Sequence, residues 1–222
     1  VFMSVVSNNI LAGASGQGGG GYQIERSLRF NPGDSAYLNR TPSSSGNLKT
    51  WTWSGWVKRS NSGAGHTNDF FSCGVNIHNG GAGGAQANAY FDVDGTIQVY
   101  EYSGGYGYNY RTTQVFRDFS AWYHIVISLD TTDLTAGDRV KIYINGDRVT
   151  SFSTSNAPTL NFEGEINKSG VQHYISDTAA PFNGYLADVH FIDGQALAAT
   201  DFGAPDDNGV WQPKKFAGIY NQ

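Results

Sequence analysis

One cysteine, Cys73, stands in 222 residues, so neither an internal disulfide nor a cysteine-based zinc cluster can form within the chain. Charge is also sparse. Only 15% of residues are Asp, Glu, Lys or Arg, and the formal net charge is -5, which leaves no basic field to collect nucleic-acid phosphates. No apolar run approaches the ~18 residues of a membrane span, and the beginning of the chain lacks a charged region followed by a long apolar core. Membrane insertion, a leader and nucleic-acid binding are therefore not expected. Segments of ten or more residues with a 3.6-residue apolar period are missing too, which argues against a helical bundle.

What is abundant is glycine (29), tyrosine (13) and phenylalanine (13). Glycine and asparagine accept positive φ in tight turns, and aromatic or β-branched side chains fill pleated faces, so this mixture suits short strands. Strand patterns recur at 27–31, 35–39, 50–58, 69–73, 88–93, 96–102, 108–113, 122–130, 139–144, 147–152, 171–175 and 184–193. Asp94-Gly95 and Asn145-Gly146 each predict a type I′ hairpin with positive φ at two successive residues. So many alternating strands need a second sheet to cover their apolar faces, which predicts an all-β, two-sheet antiparallel sandwich over residues 22–222. A short helix or turn is expected in "QALAATDFG". Residues 1–21 end in four glycines and read as a flexible arm, with Val5, Val6, Ile10 and Leu11 as candidate tether contacts.

The stretch "KTWTWSGWVKRS" holds three of the five tryptophans of the chain. Strand alternation puts Trp51, Trp53, Gly55 and Val57 on one face, and Thr52, Ser54, Trp56 and Lys58 on the other. The first set predicts core and leaves Trp56 as a contact residue. In "TIQVYEYSGGYGYNYRTT" the same alternation sends Ile97 and Val99 inward and Tyr100 and Tyr102 outward. Tyr108 and Tyr110 share a phase and are expected to continue that outward patch, which suits contact with a protein or a sugar.

Several segments resemble a known family. "SLRFNPGDSAYLN", the Trp122-Tyr123-His124 strand, the Tyr143-Ile144-Asn145-Gly146 hairpin and the run from Gly184 to Phe191 around Asp188 are similar, in order, to the concanavalin A-like lectin/glucanase superfamily in its laminin-G-like jelly-roll branch. The resemblance implies a jelly roll over roughly residues 27–200. "NNILAGASGQGGGGYQIERSLRFN" and "GVWQPKKFAGIYNQ" also resemble forms of this domain in virion proteins of tailed phages. That implies a non-enzymatic fibre or capsid-decoration module on the virion surface. Its arm would bind other virion proteins, and a homotrimer is the analogy from phage fibres; the alternative is a receptor-recognition domain that contacts a host glycan through Trp56, Tyr100, Tyr102, Tyr108 and Tyr110, residues equally suited to protein contact.

Catalysis in the glucanases of this superfamily implies acids along one strand face, with a pair of carboxyls ~5 Å apart. The nearest candidates here are Glu163 and Glu165, without a third acid, so hydrolysis is the lesser expectation. Asp92 and Asp94 can offer oxygens to Ca²⁺, but the six to eight oxygens calcium needs are not specified by two carboxylates in a turn. No cofactor is required. His124, in a strongly apolar strand with no nucleophile motif nearby, is expected to be packed and hydrogen-bonded.

Overall fold

The computed structural model describes residues 21–60, 68–74, 84–177 and 179–221. The predicted tether residues Val5, Val6, Ile10 and Leu11 lie outside the described residues. Two antiparallel sheets form the sandwich, as the alternation requires. The six-stranded sheet runs in the order β1 (Leu28–Phe30), β13 (Gly184–Asp193), β3 (Thr50–Arg59), β8 (Tyr123–Asp130), β9 (Val140–Ile144) and β10 (Asp147–Arg148). The seven-stranded sheet runs β11 (Phe152–Asn156), β7 (Tyr106–Val115), β6 (Thr96–Tyr102), β5 (Gln86–Phe91), β4 (Asn68–Gly74), β12 (His173–Ile175) and β2 (Leu38–Arg40).

Between the sheets Trp53 is 0% exposed, with its ring centroid 5.1 Å from that of Phe70. Trp51, Val57, Phe91, Ile97, Val99, Ile125 and Ile127 join the same core. The predicted division of the tryptophan stretch therefore holds: Trp51 and Trp53 face the opposite sheet.

Local chemistry explains the departures from the predicted strands. Asn31 caps a 3-10 turn at Pro32–Asp34, and Ser35 takes a left-handed conformation, so the strand expected at 35–39 begins only at Leu38. The strand expected at 147–152 is two strands, because the chain leaves the six-stranded sheet after Arg148 and enters the seven-stranded sheet at Phe152. Asn145 and Gly146 both have positive φ, as a type I′ hairpin needs. At the other hairpin only Gly95 does. There Gly95 N donates to Asp92 O and Asp92 N to Thr96 O, a longer loop that needs only one left-handed residue.

After β13 the chain makes the expected short turn, a 3-10 segment at Ala199–Asp201. It then forms a hairpin not foreseen in the sequence, β14 (Gly203–Pro205) with β15 (Trp211–Pro213). This tail folds over the outer face of the six-stranded sheet. Thr52 Oγ1 donates to Gln195 O and accepts from Leu197 N, while Val126, Ile192, Ala199 and Phe202 form a second apolar cluster with Trp211 and Phe216 packed against it. The two sides of β3 and β8 are thus both buried.

Candidate functional site

The tyrosine-rich hairpin of β6 and β7 lies just inside the β11 edge of the seven-stranded sheet. Residues directly paired across an antiparallel ladder share a face, and here Val99 pairs with Tyr110, Glu101 with Tyr108, and Tyr100 with Asn109. Tyr108 and Tyr110 consequently point into the core, 1% and 4% exposed, contrary to the outward patch expected from their phase. The cause is Gly107. Tyr102 pairs with Tyr106 and Glu101 with Tyr108, so Gly107 is an extra residue on one strand, and such a bulge flips every side chain beyond it. A Cβ on Gly107 would fall 2.3 Å from the Phe162 ring, so glycine is also sterically required there.

Tyr100 and Tyr102 do face outward. Tyr106, which the alternation did not single out, is the most open of the group at 54% exposure. Its ring meets those of Tyr100 and Tyr102 edge-on, at centroid distances of 5.8 and 5.3 Å. Tyr100 itself is largely buried between Tyr106 and Tyr90. Beside them runs a row of amides. Tyr90 Oη donates to Gln98 Oε1 at 2.7 Å, Gln98 Nε2 donates to Asn109 Oδ1 at 2.8 Å, and Asn88 Nδ2 donates to Asp69 Oδ2 at 2.7 Å.

The acids on this face are already engaged. Arg111 Nη2 lies 2.8 Å from Asp92 Oδ2 and 2.9 Å from Asp94 Oδ2, so both carboxylates that could have offered oxygens to calcium face a guanidinium. Among the described residues no group of three or more His, Cys, Asp or Glu side chains is placed to hold a metal ion. Asp177 accepts from Ser72 Oγ and from the backbone N–H groups of Ala179 and Ala180. Glu163 and Glu165 lie off the strands and pair with Lys49 and Lys168, at 3.3 and 2.7 Å. The carboxylate the sequence reading missed is Glu101. It is 2% exposed on the core side, accepts from Glu165 N at 2.7 Å, and burial pushes its pKa up to about 7. The available signal was its phase: alternation places Glu101 on the same face as Ile97 and Val99, although a charged side chain there reads at first as a surface residue.

Trp56 is not part of this face. It stands on β3, in the other sheet, and points toward the tail. Its indole stacks on His124 at 5.1 Å, and His124 stacks in turn on Trp211 at 6.0 Å. Trp211 Nε1 donates to His124 Nδ1 at 3.0 Å, which leaves the proton on Nε2, 3.0 Å from Ser54 Oγ. The imidazole donates to the serine and does not activate it. Burial pushes the His124 pKa down to about 4, so the ring is the neutral, hydrogen-bonded residue expected of it. Nearby, Asp188 occupies a bulge of β13 with positive φ and accepts from Tyr22 Oη at 2.9 Å, fastening the segment that precedes β1.

Residues 32–201 match the profile of the concanavalin A-like lectin/glucanases superfamily. The chain belongs to that superfamily. No curated protein matches it in sequence. Among solved structures, a heptameric SAP-like pentraxin from Limulus polyphemus is 16% identical, with a TM-score of 0.48 over 73% of this chain and 71% of its own. The tailspike protein 2 of Escherichia coli O157:H7 bacteriophage CAB120 is 17% identical, with a TM-score of 0.48 over 79% of this chain and 23% of its own. The CBM40 of Ruminococcus gnavus IT-sialidase, bound to α2,3-sialyllactose, is 12% identical, with a TM-score of 0.47 over 80% of this chain and 96% of its own. At these identities the likeness is one of fold.

Proposed function

We propose that this concanavalin A-like domain is a non-enzymatic adhesion module that contacts a host-surface glycan through the outer face of its seven-stranded sheet. The observation that carries the reading is the open Tyr106 beside Tyr100 and Tyr102, flanked by the amides of Asn88, Gln98 and Asn109. Aromatic faces stack on the C–H faces of pyranoses, and amides supply both donors and acceptors for hydroxyls. Carboxylates tied up by Arg111, Asn88 and backbone N–H groups favour binding over hydrolysis, since a glycosidase needs two available carboxyls on either side of the scissile bond.

The resemblance of both chain ends to tailed-phage virion proteins supports placing the module on a virion surface, as a fibre or capsid-decoration component. There residues 1–21 attach it to other virion proteins, and a trimer presents three faces. On an array of host polysaccharides the parent chain is expected to be retained, and Tyr106→Ala and Tyr102→Ala to lose retention. Absence of retention for the parent sinks the glycan reading. Release of reducing ends by the parent sinks the non-enzymatic one. Deletion of residues 3–20 is expected to leave the fold intact and abolish incorporation into particles, and unchanged incorporation overturns the tether.

A further inference from the structure

Three of the five tryptophans of the chain, Trp56, Trp122 and Trp211, line one groove of about 650 Å³ on the side of the molecule opposite the tyrosines. One wall is the segment before β1, including Glu25 and Arg26; the other is the β14–β15 hairpin with Asp207 and Gln212. Cavities that hold small organic ligands typically span roughly 300–1,000 Å³. We infer that this groove is a second carbohydrate site, one that takes an uncharged saccharide, plain or N-acetylated, and operates independently of the tyrosine face.

Two features favour a sugar. Trp211 is rigidly held: its indole N–H is bound to His124, and a Cβ at Gly146 or Gly203 would come within 2.5 or 2.4 Å of its ring. Trp56, His124 and Trp211 stack in that order, which fixes both indoles and covers the face each turns to the imidazole. Together with the half-buried Trp122 they give the groove aromatic surface ordered before binding, which loses little entropy when a pyranose packs on its open faces and edges. The second feature is the polar rim. Asp206 is held by the backbone N–H groups of Asn208 and Val210 and by Gln212 Nε2, so the hydroxyl partners at the edges of a stacked ring are the carboxylates of Glu25 and Asp207 and the remaining donor and acceptor capacity of the Gln212 amide. Glu25, Asp206 and Asp207 against Arg26 give a formal charge of -3 + 1 = -2 among the lining residues, which disfavours uronic and sialic acids.

Tryptophan emission reads this site selectively, because the described part of the tyrosine face carries no tryptophan, and Trp51 and Trp53 are buried in the core. The full chain is titrated with laminarihexaose, cellohexaose and chitohexaose, with alginate as an acidic control and decaproline as a peptide control. At least one neutral or N-acetylated oligosaccharide is expected to give a saturable emission change and to protect the groove tryptophans from N-bromosuccinimide. Trp122→Ala is expected to weaken that response at least tenfold, Trp122→Phe to restore part of it, and Tyr106→Ala to leave it within twofold. The inference is overturned if none of the three oligosaccharides changes the emission of the wild type, or if alginate or decaproline is the better ligand. It also fails if Trp122→Ala, folded by circular dichroism, responds as the wild type does, or if Tyr106→Ala abolishes the response. The last result would place all binding on the tyrosine face.

Discussion

The outer faces of the two sheets began with similar raw material, an alternating strand pattern rich in aromatics, and ended in different states. Over the six-stranded sheet the tail from Gln195 onward supplies Phe202, Trp211 and Phe216, so that Val126 and Ile192, pointing away from the main core, are still 0% exposed. Over the seven-stranded sheet the outward side chains bond to one another: Tyr90 to Gln98, Gln98 to Asn109, Asn88 to Asp69, and Arg111 to two aspartates. A strand with cover on both sides reads as a continuous apolar run, as "HIVISL" in β8 does, while a strand with one wet or polar side alternates. The difference teaches that an outward-facing residue in a sandwich is not thereby a contact residue. Trp56 faces out and is half-covered, stacked on His124 in the groove beside the tail, whereas Tyr106 faces out and is open.

The comparison can be broken most forcefully at its buried anchors. Trp53→Ala in the main core and Phe202→Ala in the cover are each expected to cost about 3–5 kcal/mol in guanidinium denaturation, the range for deleting a buried aromatic. A cost under about 1 kcal/mol at Phe202 would mean that the tail rests loosely on the sheet and that the second core is not a core.

The next test uses two buried ionisable groups, one on each sheet. The pKa of Glu101 is raised from 4.5 to about 7. Its contribution is therefore fully present below pH 4.5 and is lost as pH rises through 7, a change of about 3 kcal/mol at 1.36 kcal/mol per pKa unit. The pKa of His124 is lowered from 6.5 to about 4; its contribution is present above pH 6.5 and is lost, by about the same ~3 kcal/mol, as pH falls through 4. Between pH 4.5 and 6.5 the two oppose each other. Glu101→Gln is expected to make stability climb with pH across that window, and His124→Gln to make it decline. Parallel slopes in the two variants would show that at least one of the groups is not held as described.

Smaller effects sharpen the picture. Gly146→Ala combines a left-handed φ of +91° with a Cβ 2.5 Å from the Trp211 ring and is expected to cost about 1–3 kcal/mol. A loss of groove tryptophan ordering in near-UV circular dichroism should accompany it. Tyr106→Ala is expected to change stability by less than about 0.5 kcal/mol while reducing glycan retention about tenfold, a difference of ~1.4 kcal/mol. Destabilisation comparable to that of Phe202→Ala would mean that the tyrosine face is packed and not displayed.

Much of the fold was legible because period-two alternation and turn chemistry are local. Trp51 and Trp53 separated from Trp56 on alternation alone, and Asn145-Gly146 named its own turn type, since few other residue pairs accept two positive φ values in succession. The tyrosine face was legible only in part. Tyr100 and Tyr102 followed the alternation of β6, but a single bulge residue, Gly107, reversed Tyr108 and Tyr110 and brought out Tyr106. The glycines in "SGGYGYNY" were the available signal, because a glycine inside a strand pattern marks a bulge or a close approach. The groove had no comparable signal. Trp211 reaches His124 from 87 residues away, and nothing near either residue announces the meeting.

The sequence by itself determined that this chain forms strands, where most of them turn, and which side of β3 enters the main core, because backbone sterics and side-chain periodicity act within a few residues. Only the tertiary structure decided which outward faces stay open. That depends on the register between β6 and β7, and on a C-terminal tail whose apolar side chains are stabilised by contacts with strands distant in the chain.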